Sequence, residues 1–183
     1  NFEKYYQDAL SNPVGDYSSY IIKGNNSPAK LQELKQLLDR HSIRYGSAEN
    51  SQTVLAYDYN AGRTTSINVS KTDLIVNATQ PKGTLVQVLF EPEPKVADSL
   101  TYDITAWSLP LAYGLEAYAT TEQLAATSDY ALSVFTANQV VENPYAYVAK
   151  WDAVADAHFL GELLKNDFKV RIARGSATFN REN

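Results

Sequence analysis

Four acidic side chains in the stretch EPEPKVADSLTYDITAWSLP (91–110) are the strongest candidates for acid–base chemistry: Glu91, Glu93, Asp98 and Asp103. Two carboxylates that share catalysis lie about 5–10 Å apart across a cleft and have separated pKa values. The sequence supplies such groups but no cleft. A structural interpretation fits better, because the prolines favour an extended connector and the aspartates lie where the amides of a predicted helix favour negative charge.

Metal chemistry has little support in the sequence. His41 ends a predicted helix, where an imidazolium interacts favourably with the dipole. His158 and Glu162 are four residues apart on one helical face, but two ligands are too few for zinc, and such pairs are usually surface contacts. The chain has no cysteine and no HEXXH, GxSxG, GxxxxGK[ST] or GxGxxG motif. We therefore predict no catalytic, metal-binding or cofactor-binding residue, and a hydrolase that uses Asp98, Asp103 or the histidine–glutamate pair stays an alternative.

The elements that position these groups begin with a strand, a helix and a second strand. An apolar run (19–24) precedes a helical pattern (27–41), in which Ser27 can cap and Pro28 suits the first helical position. One apolar stripe is formed by Leu31, Leu34, Leu37 and Leu38. A short strand (42–45) completes a unit whose parallel strands need a crossover of this length.

Four further patterns fill the middle of the chain. The runs 53–59 and 63–69 predict a hairpin with Gly62 in the turn. Residues 73–92 predict a strand and then a short helix after Pro81, with a second strand as the alternative. A further helix is predicted from a cap at Thr101 and a kink at Pro110, with an apolar face of Ile104, Trp107, Leu111, Leu115 and Tyr118. Residues 130–135 suggest another strand.

The C-terminal part repeats the opening pattern: a strand (145–151), a helix (152–168) capped by Asp152 and a strand (169–174). A shift of 127 positions aligns, without a gap, Tyr20 with Tyr147, Ile21 with Val148, Lys23 with Lys150, Leu37 with Leu164, Ile43 with Val170 and Arg44 with Arg171. Gene duplication and convergence under the same packing rules both explain this.

These elements predict an α/β fold of the flavodoxin-like kind. Its mainly parallel sheet would carry helices on both faces, in three layers, with one β-hairpin insertion. The strands near 19–23 and 145–150 should then be parallel members of one sheet, with the helices 28–41 and 152–166 packed against it.

Composition limits the class of protein. The chain of 183 residues suits one domain (1–183). A net charge of −5 without a basic cluster argues against a nucleic-acid or anionic-membrane partner. No stretch approaches the roughly 20 apolar residues that cross a bilayer. The chain begins at Asn1 and has no methionine, so we expect a fragment of a longer protein.

The most specific pieces of the chain are Gln80-Pro81, Leu89-Phe90-Glu91-Pro92 and Tyr102-Asp103-Ile104-Thr105-Ala106-Trp107. With the stretch YAYVAKWDAVADAHFLGELLKNDFKVRIA, they make nearly the whole chain resemble the region after the catalytic domain in large Bacteroides-type carboxypeptidase A-like zinc peptidases. The resemblance implies a class I glutamine amidotransferase-like domain, related to flavodoxin but without amidotransferase chemistry. The absence of cysteine agrees, because that reaction needs a cysteine nucleophile.

The resemblance also implies a function. The parent would be a secreted or periplasmic zinc metallocarboxypeptidase with its zinc in the preceding domain, and this chain would be a non-catalytic scaffold or substrate-orienting domain. Its partners would be that catalytic domain and a peptide substrate. Candidate structural or interface residues are Gln80, Glu91, Asp98, Tyr102, Asp103 and Trp107, with Asp103 at a helix start and Trp107 as an apolar anchor. The alternative is a stand-alone peptide- or glycan-binding module that uses exposed aromatic side chains.

Overall fold

The computed structural model describes residues 3, 4, 7, 10, 13, 15–93, 108–132, 142 and 144–173. The chain divides into two compact units, Asn1–Ala137 and Asn138–Asn183. We call the first the sheet domain and the second the C-terminal unit. The range predicted as one domain (1–183) spans both units.

The described part of the sheet domain contains a six-stranded sheet. Its strands are β1 (Ser19–Ile22), β2 (Gly46–Ser47), β3 (Gln52–Asp58), β4 (Arg63–Val69), β5 (Leu74–Asn77) and β6 (Ala117–Thr120). Their order is β2-β5-β1-β6-β3-β4, and every neighbouring pair is antiparallel. The predicted mainly parallel, flavodoxin-like sheet, and with it the class I glutamine amidotransferase-like fold, is therefore wrong.

The error comes from the partners of the strands and not from the opening elements. Helix α1 (Pro28–Arg40) follows β1 as predicted, but the strand predicted at 42–45 is wrong, because the next strand is β2 at Gly46–Ser47. Strands β1 and β2 run in the same direction. However, β5 lies between them and pairs antiparallel with both, which is a split βαβ arrangement. A strand pattern in the sequence shows which side chains are buried, but it does not show which strand will supply the hydrogen-bonding partner.

The two faces of the sheet are covered differently. One face packs against α1 and against α2 (Gly83–Phe90), so that Leu34 and Phe90 join Tyr20 in the larger core. On the other face, Ile21 and Ile75 belong to a smaller cluster. No residue of a described helix belongs to that smaller cluster, so the described residues give no second helical layer.

Two local predictions in the middle of the chain are confirmed. The hairpin β3–β4 turns at Gly62, whose φ is 63°, and the Asp58 carboxylate accepts the Asn60 and Ala61 amides at 2.8 and 3.0 Å. The helix preferred after Pro81 is α2.

The prediction for the following helix is wrong where the structure describes it. Helix α3 spans only Leu109–Ala112, and Tyr118 lies in β6. Residues 101–107 and 133–135 lie outside the described residues. Residues 130–132 are described and are not in a strand.

The C-terminal unit contains α4 (Val154–Lys165), but its predicted strands are wrong over 145–151 and 169–173. Residues 145–150 therefore do not pair with the strand at 19–23. The predicted cap also differs, because the Asp156 carboxylate accepts the amides of Asp152 and Ala153 at 2.8 and 2.7 Å. No residue between 144 and 173 is buried.

Candidate ligand-binding cleft

Gln80, one of the predicted candidates, has a structural position. The side chain is buried, and its oxygen accepts the Arg44 amide at 2.7 Å. Its nitrogen donates to the carbonyls of Arg44 and Asn77 at 3.0 and 2.7 Å. The side-chain amide thus forms the hydrogen bonds that a neighbouring strand would otherwise form, and it holds the segment 43–45 at the end of β5.

Glu91 lies at the end of α2. Its carboxylate accepts a hydrogen bond from Gln87 at 3.3 Å, and the carboxylate of Glu93 accepts one from the Tyr57 hydroxyl, also at 3.3 Å. Both are contacts within the sheet domain. The other four candidates, Asp98, Tyr102, Asp103 and Trp107, lie outside the described residues.

The His158–Glu162 pair is exposed on α4. The Glu162 carboxylate lies 3.6 Å from the Lys165 ammonium, which is an ordinary surface contact. Over 15–93, 108–132 and 144–173, no three His, Cys, Asp or Glu side chains converge as metal ligands.

A cleft of about 650 Å³ lies on the sheet domain, within the roughly 300–1,000 Å³ typical of small-ligand sites. Its walls are the C-terminal half of α1, the segment 43–45, the end of β5 and the loop 126–129. The charged side chains that line it are Lys35, Asp39, Arg44 and Asp129.

The first wall is positioned by the way α1 ends. Ser42 has a φ of 54°, its amide donates to the Asp39 carbonyl, and the Ile43 amide donates to the Leu38 carbonyl, both at 3.0 Å. This is a Schellman motif, which satisfies the last carbonyls of the helix and brings Ile43 against Leu38 in the core. The turn directs Tyr45 back over the last turns of α1.

The opposite wall depends on a glycine. A Cβ atom at Gly46 would lie 1.9 Å from the Thr127 carbonyl oxygen, so only glycine permits this approach. The Thr127 amide donates to the Ser47 carbonyl at 2.9 Å, and the Ser47 amide donates to the Asp129 carbonyl at 3.1 Å. The loop 126–129 is therefore held along β2 by backbone hydrogen bonds.

A chain of hydrogen bonds runs along the wall formed by α1 and the segment 43–45. The Lys35 ammonium donates to the Tyr45 hydroxyl at 2.5 Å, and that hydroxyl donates to Asp39 at 2.5 Å. The ammonium also lies 3.8 Å from a carboxylate oxygen of Asp39 and 3.8 Å from one of Asp129. One cation is thus placed between two carboxylates and at the hydroxyl edge of the Tyr45 ring.

The protonation states of Lys35 and Tyr45 follow from their surroundings. Burial raises the pKa of Tyr45, and its hydrogen bond to Asp39 acts in the same direction. The hydrogen bond to Tyr45 raises the pKa of Lys35, and the carboxylates of Asp39 and Asp129 also raise it. Both groups are therefore protonated at neutral pH and act as hydrogen-bond donors.

Of the residues that line this cleft, the sequence predicted only Gln80, as a structural or interface residue. The one local signal for the charged residues was the spacing of Lys35 and Asp39, four residues apart on a helix. Asp129 is brought to Lys35 only by the tertiary fold. No protein-family model, curated protein or solved structure matches this chain.

Proposed function

We propose that the sheet domain is a non-catalytic recognition module whose cleft holds a short peptide segment. The observation that carries this proposal is the Lys35–Tyr45–Asp39 hydrogen-bond chain, with Asp129 beside it, in the wall of an open cleft. Such an array offers donors and acceptors at fixed positions, which is the requirement for orienting a polar ligand.

Recognition suits the protonation of these groups better than catalysis does. A general base needs a pKa near the working pH, and a nucleophilic lysine needs a lowered pKa. Tyr45 and Lys35 are both shifted upwards. They donate hydrogen bonds at neutral pH and do not accept a proton.

The two signs of charge in the cleft favour a peptide over a phosphate-bearing ligand. Among the described residues that line the cleft, Lys35 carries the only ammonium group, and Asp39 and Asp129 both lie 3.8 Å from it, so an anion at Lys35 is also close to two carboxylates. A peptide brings amide donors for the carboxylates and carbonyl or carboxylate acceptors for Lys35.

We further propose that this module orients a peptide for a zinc metallocarboxypeptidase in a longer, secreted or periplasmic protein. This part rests on the sequence resemblance alone, with zinc in the catalytic domain of the parent. Because the sheet is antiparallel, the amidotransferase-like fold that the resemblance implied is not part of this proposal. Two resembling pieces contribute to the scaffold, since Gln80 fastens the segment 43–45 and Phe90 is fully buried in the core.

A peptide titration, monitored through the ¹⁵N NMR signals of the protein, tests the recognition proposal. Tetraalanine with free ends should shift the amide signals of Tyr45 and of the loop 126–129. Lys35→Ala removes the central donor and should weaken binding by about tenfold or more, as expected for a hydrogen bond to a charged group. Lys71→Ala, an exposed lysine between β4 and β5, is the matched control and should change the Kd by less than about twofold.

Other outcomes would contradict the proposal. If neither free nor end-blocked tetraalanine shifts signals in the cleft, peptide recognition there is wrong. If cellotetraose shifts Tyr145 and Trp151 instead, the glycan-binding alternative is favoured. In the parent protein, deletion of this module should raise KM for peptides and leave the zinc content unchanged.

A further inference from the structure

The C-terminal unit exposes apolar side chains that other domains bury. The large exposed ones between 144 and 173 are Tyr145, Tyr147, Val148, Trp151, Val154, Phe159, Leu164, Phe168, Val170 and Ile172. Single exposed apolar residues are normal, whereas contiguous apolar patches of several hundred Å² mark interaction sites.

Helix α4 has an apolar face too wide for a helix that is half in water. With about 3.6 residues per turn, its apolar side chains cover about 200° of the circumference, against the roughly 100° stripe of a surface helix. This face consists of Ala155, Ala157, Phe159, Leu160, Leu163 and Leu164. Asp156 also lies within it, in the first turn, where its carboxylate accepts the amides of Asp152 and Ala153. The opposite side carries His158, Glu162 and Lys165. The helix is therefore suited to being covered over more than half of its surface.

The exposed area is close to what a stable interface needs. Five aromatic side chains in the segment are between 53% and 107% exposed. At about 200 Å² each, they present on the order of 700 Å². A standard interface buries about 800 Å² on each partner, so the aromatic residues alone nearly reach this value.

The charge of the segment indicates what kind of partner covers it. Between 144 and 173 there are four basic residues (Lys150, Lys165, Lys169, Arg171) and four acidic residues (Asp152, Asp156, Glu162, Asp167). The segment is therefore neutral, whereas the whole chain has a net charge of −5. A strongly charged partner gains nothing from this balance, but a second copy of the same segment meets no net repulsion and finds both signs of charge.

We propose that residues 144–173 form a homodimer interface with the same residues of a second copy. In a twofold-symmetric dimer one patch contacts itself, so an apolar, charge-balanced segment supplies both sides of the interface. The apolar faces of the two α4 helices pack together, and the aromatic residues of the flanking segments cover their edges. This inference is independent of the cleft and of the proposed recognition function.

Sedimentation equilibrium of the full chain over a range of concentrations tests the proposal. The expected result is a discrete monomer–dimer equilibrium. Phe159→Glu places a charge in the apolar face of α4 and should raise the dimer Kd by about tenfold or more. Leu55→Glu is the matched control, because Leu55 is 65% exposed on β3 of the sheet domain, and it should leave the Kd within about twofold.

Cross-linking decides the question if Phe159→Glu fails to fold. The chain has no cysteine, so a single cysteine can be introduced without background reaction. Leu164→Cys should give a covalent dimer with a flexible bismaleimide, whereas Leu55→Cys should not. A monomer at all concentrations, open-ended aggregation, a dimer that persists in folded Phe159→Glu, or equal cross-linking at both positions would each overturn the proposal.

Discussion

Tyr20 and Tyr147 occupy matching positions in two similar stretches of sequence, yet Tyr20 is 1% exposed and Tyr147 is 71% exposed. The same contrast separates Ile43, at 3%, from Val170, at 40%. The first stretch lies inside the sheet domain and the second lies in the C-terminal unit. Similar local patterns thus end in opposite environments, which shows that the pattern does not set burial by itself.

The two stretches do share local structure. Helix α4 ends as α1 does, because the Phe168 amide donates to the Leu163 carbonyl at 2.9 Å and Asp167 has a φ of 58°. This is again a Schellman motif. Ile43 corresponds here to Phe168, an offset of 125 instead of the 127 that aligns the sequences. Helix formation and helix ending depend on neighbours in the chain, so they occur in both stretches.

The strands differ because they need distant partners. Strand β1 pairs with β5 on one side and with β6 on the other. Residues 145–151 have the same strand-like composition but are not in a strand. Three predictions follow from this contrast, in decreasing order of expected effect.

Tyr20→Ala should destabilise the sheet domain far more than Tyr147→Ala destabilises the chain. Tyr20 lies in the core with its ring centroid 5.3 Å from that of Phe90, so its loss should cost about 3–5 kcal/mol. At concentrations where the chain is monomeric, Tyr147→Ala should cost less than about 0.5 kcal/mol. Chemical denaturation measures both, and equal losses would show that the contrast between the two stretches is wrong.

The ion pair of the sheet domain should contribute more to the free energy of unfolding than the ion pair of the C-terminal unit. Asp73 is 1% exposed, lies 2.6 Å from the Lys23 ammonium and accepts the amides of Gly24 and Ser70. Asp73→Ala leaves these donors without their acceptor and should cost about 3 kcal/mol in free energy of unfolding. Glu162→Ala breaks only the exposed contact with Lys165 and should cost less than about 1 kcal/mol.

The control for this prediction is Asp73→Asn, which keeps one oxygen as an acceptor and should recover part of the loss. If Asp73→Ala were no more destabilising than Glu162→Ala, the pair with Lys23 would contribute nothing measurable to the sheet domain.

The smallest expected effect concerns alkaline pH. Burial, with help from the hydrogen bond to Glu116 at 3.1 Å, raises the pKa of Tyr118 from 10.0 to about 12. Between these values the unfolded chain releases a proton that the folded chain keeps, so the stability from this group is present below pH 10 and is lost as the pH rises towards 12. The loss should be below about 1 kcal/mol, because Tyr118 is partly exposed and screened by solvent.

Chemical denaturation of Tyr118→Phe below and above pH 10 measures how much Tyr118 contributes to the loss of stability with rising pH. The variant should show a shallower decline with pH than the natural chain. Tyr145→Phe, which removes a fully exposed hydroxyl, should leave the slope unchanged. An unchanged slope in Tyr118→Phe would exclude Tyr118 as the source.

The cleft shows how far site prediction can go from sequence. Their spacing of four residues alone places Lys35 and Asp39 on one helical face, so this polar pair can be identified from the sequence. Tyr45 joins them only because Ser42 adopts a left-handed conformation, and Asp129 joins them only because Gly46 admits the loop 126–129. The acidic stretch 91–110 has its charges close together in sequence, but in the structure Glu91 contacts Gln87, and Asp98 and Asp103 lie outside the described residues.

The sequence by itself determined α1, the hairpin β3–β4 and the core positions Leu31, Leu34 and Leu38, and it favoured α2 over a strand, since each depends on hydrogen bonds or periodicity within a few residues. The tertiary structure alone decided that β5 lies between β1 and β2, that the sheet is antiparallel and that Asp129 reaches Lys35. The physical reason is that a strand satisfies its backbone groups with a segment far away in the chain. Many segments have the composition to be that partner, and only the packing of the whole domain selects one.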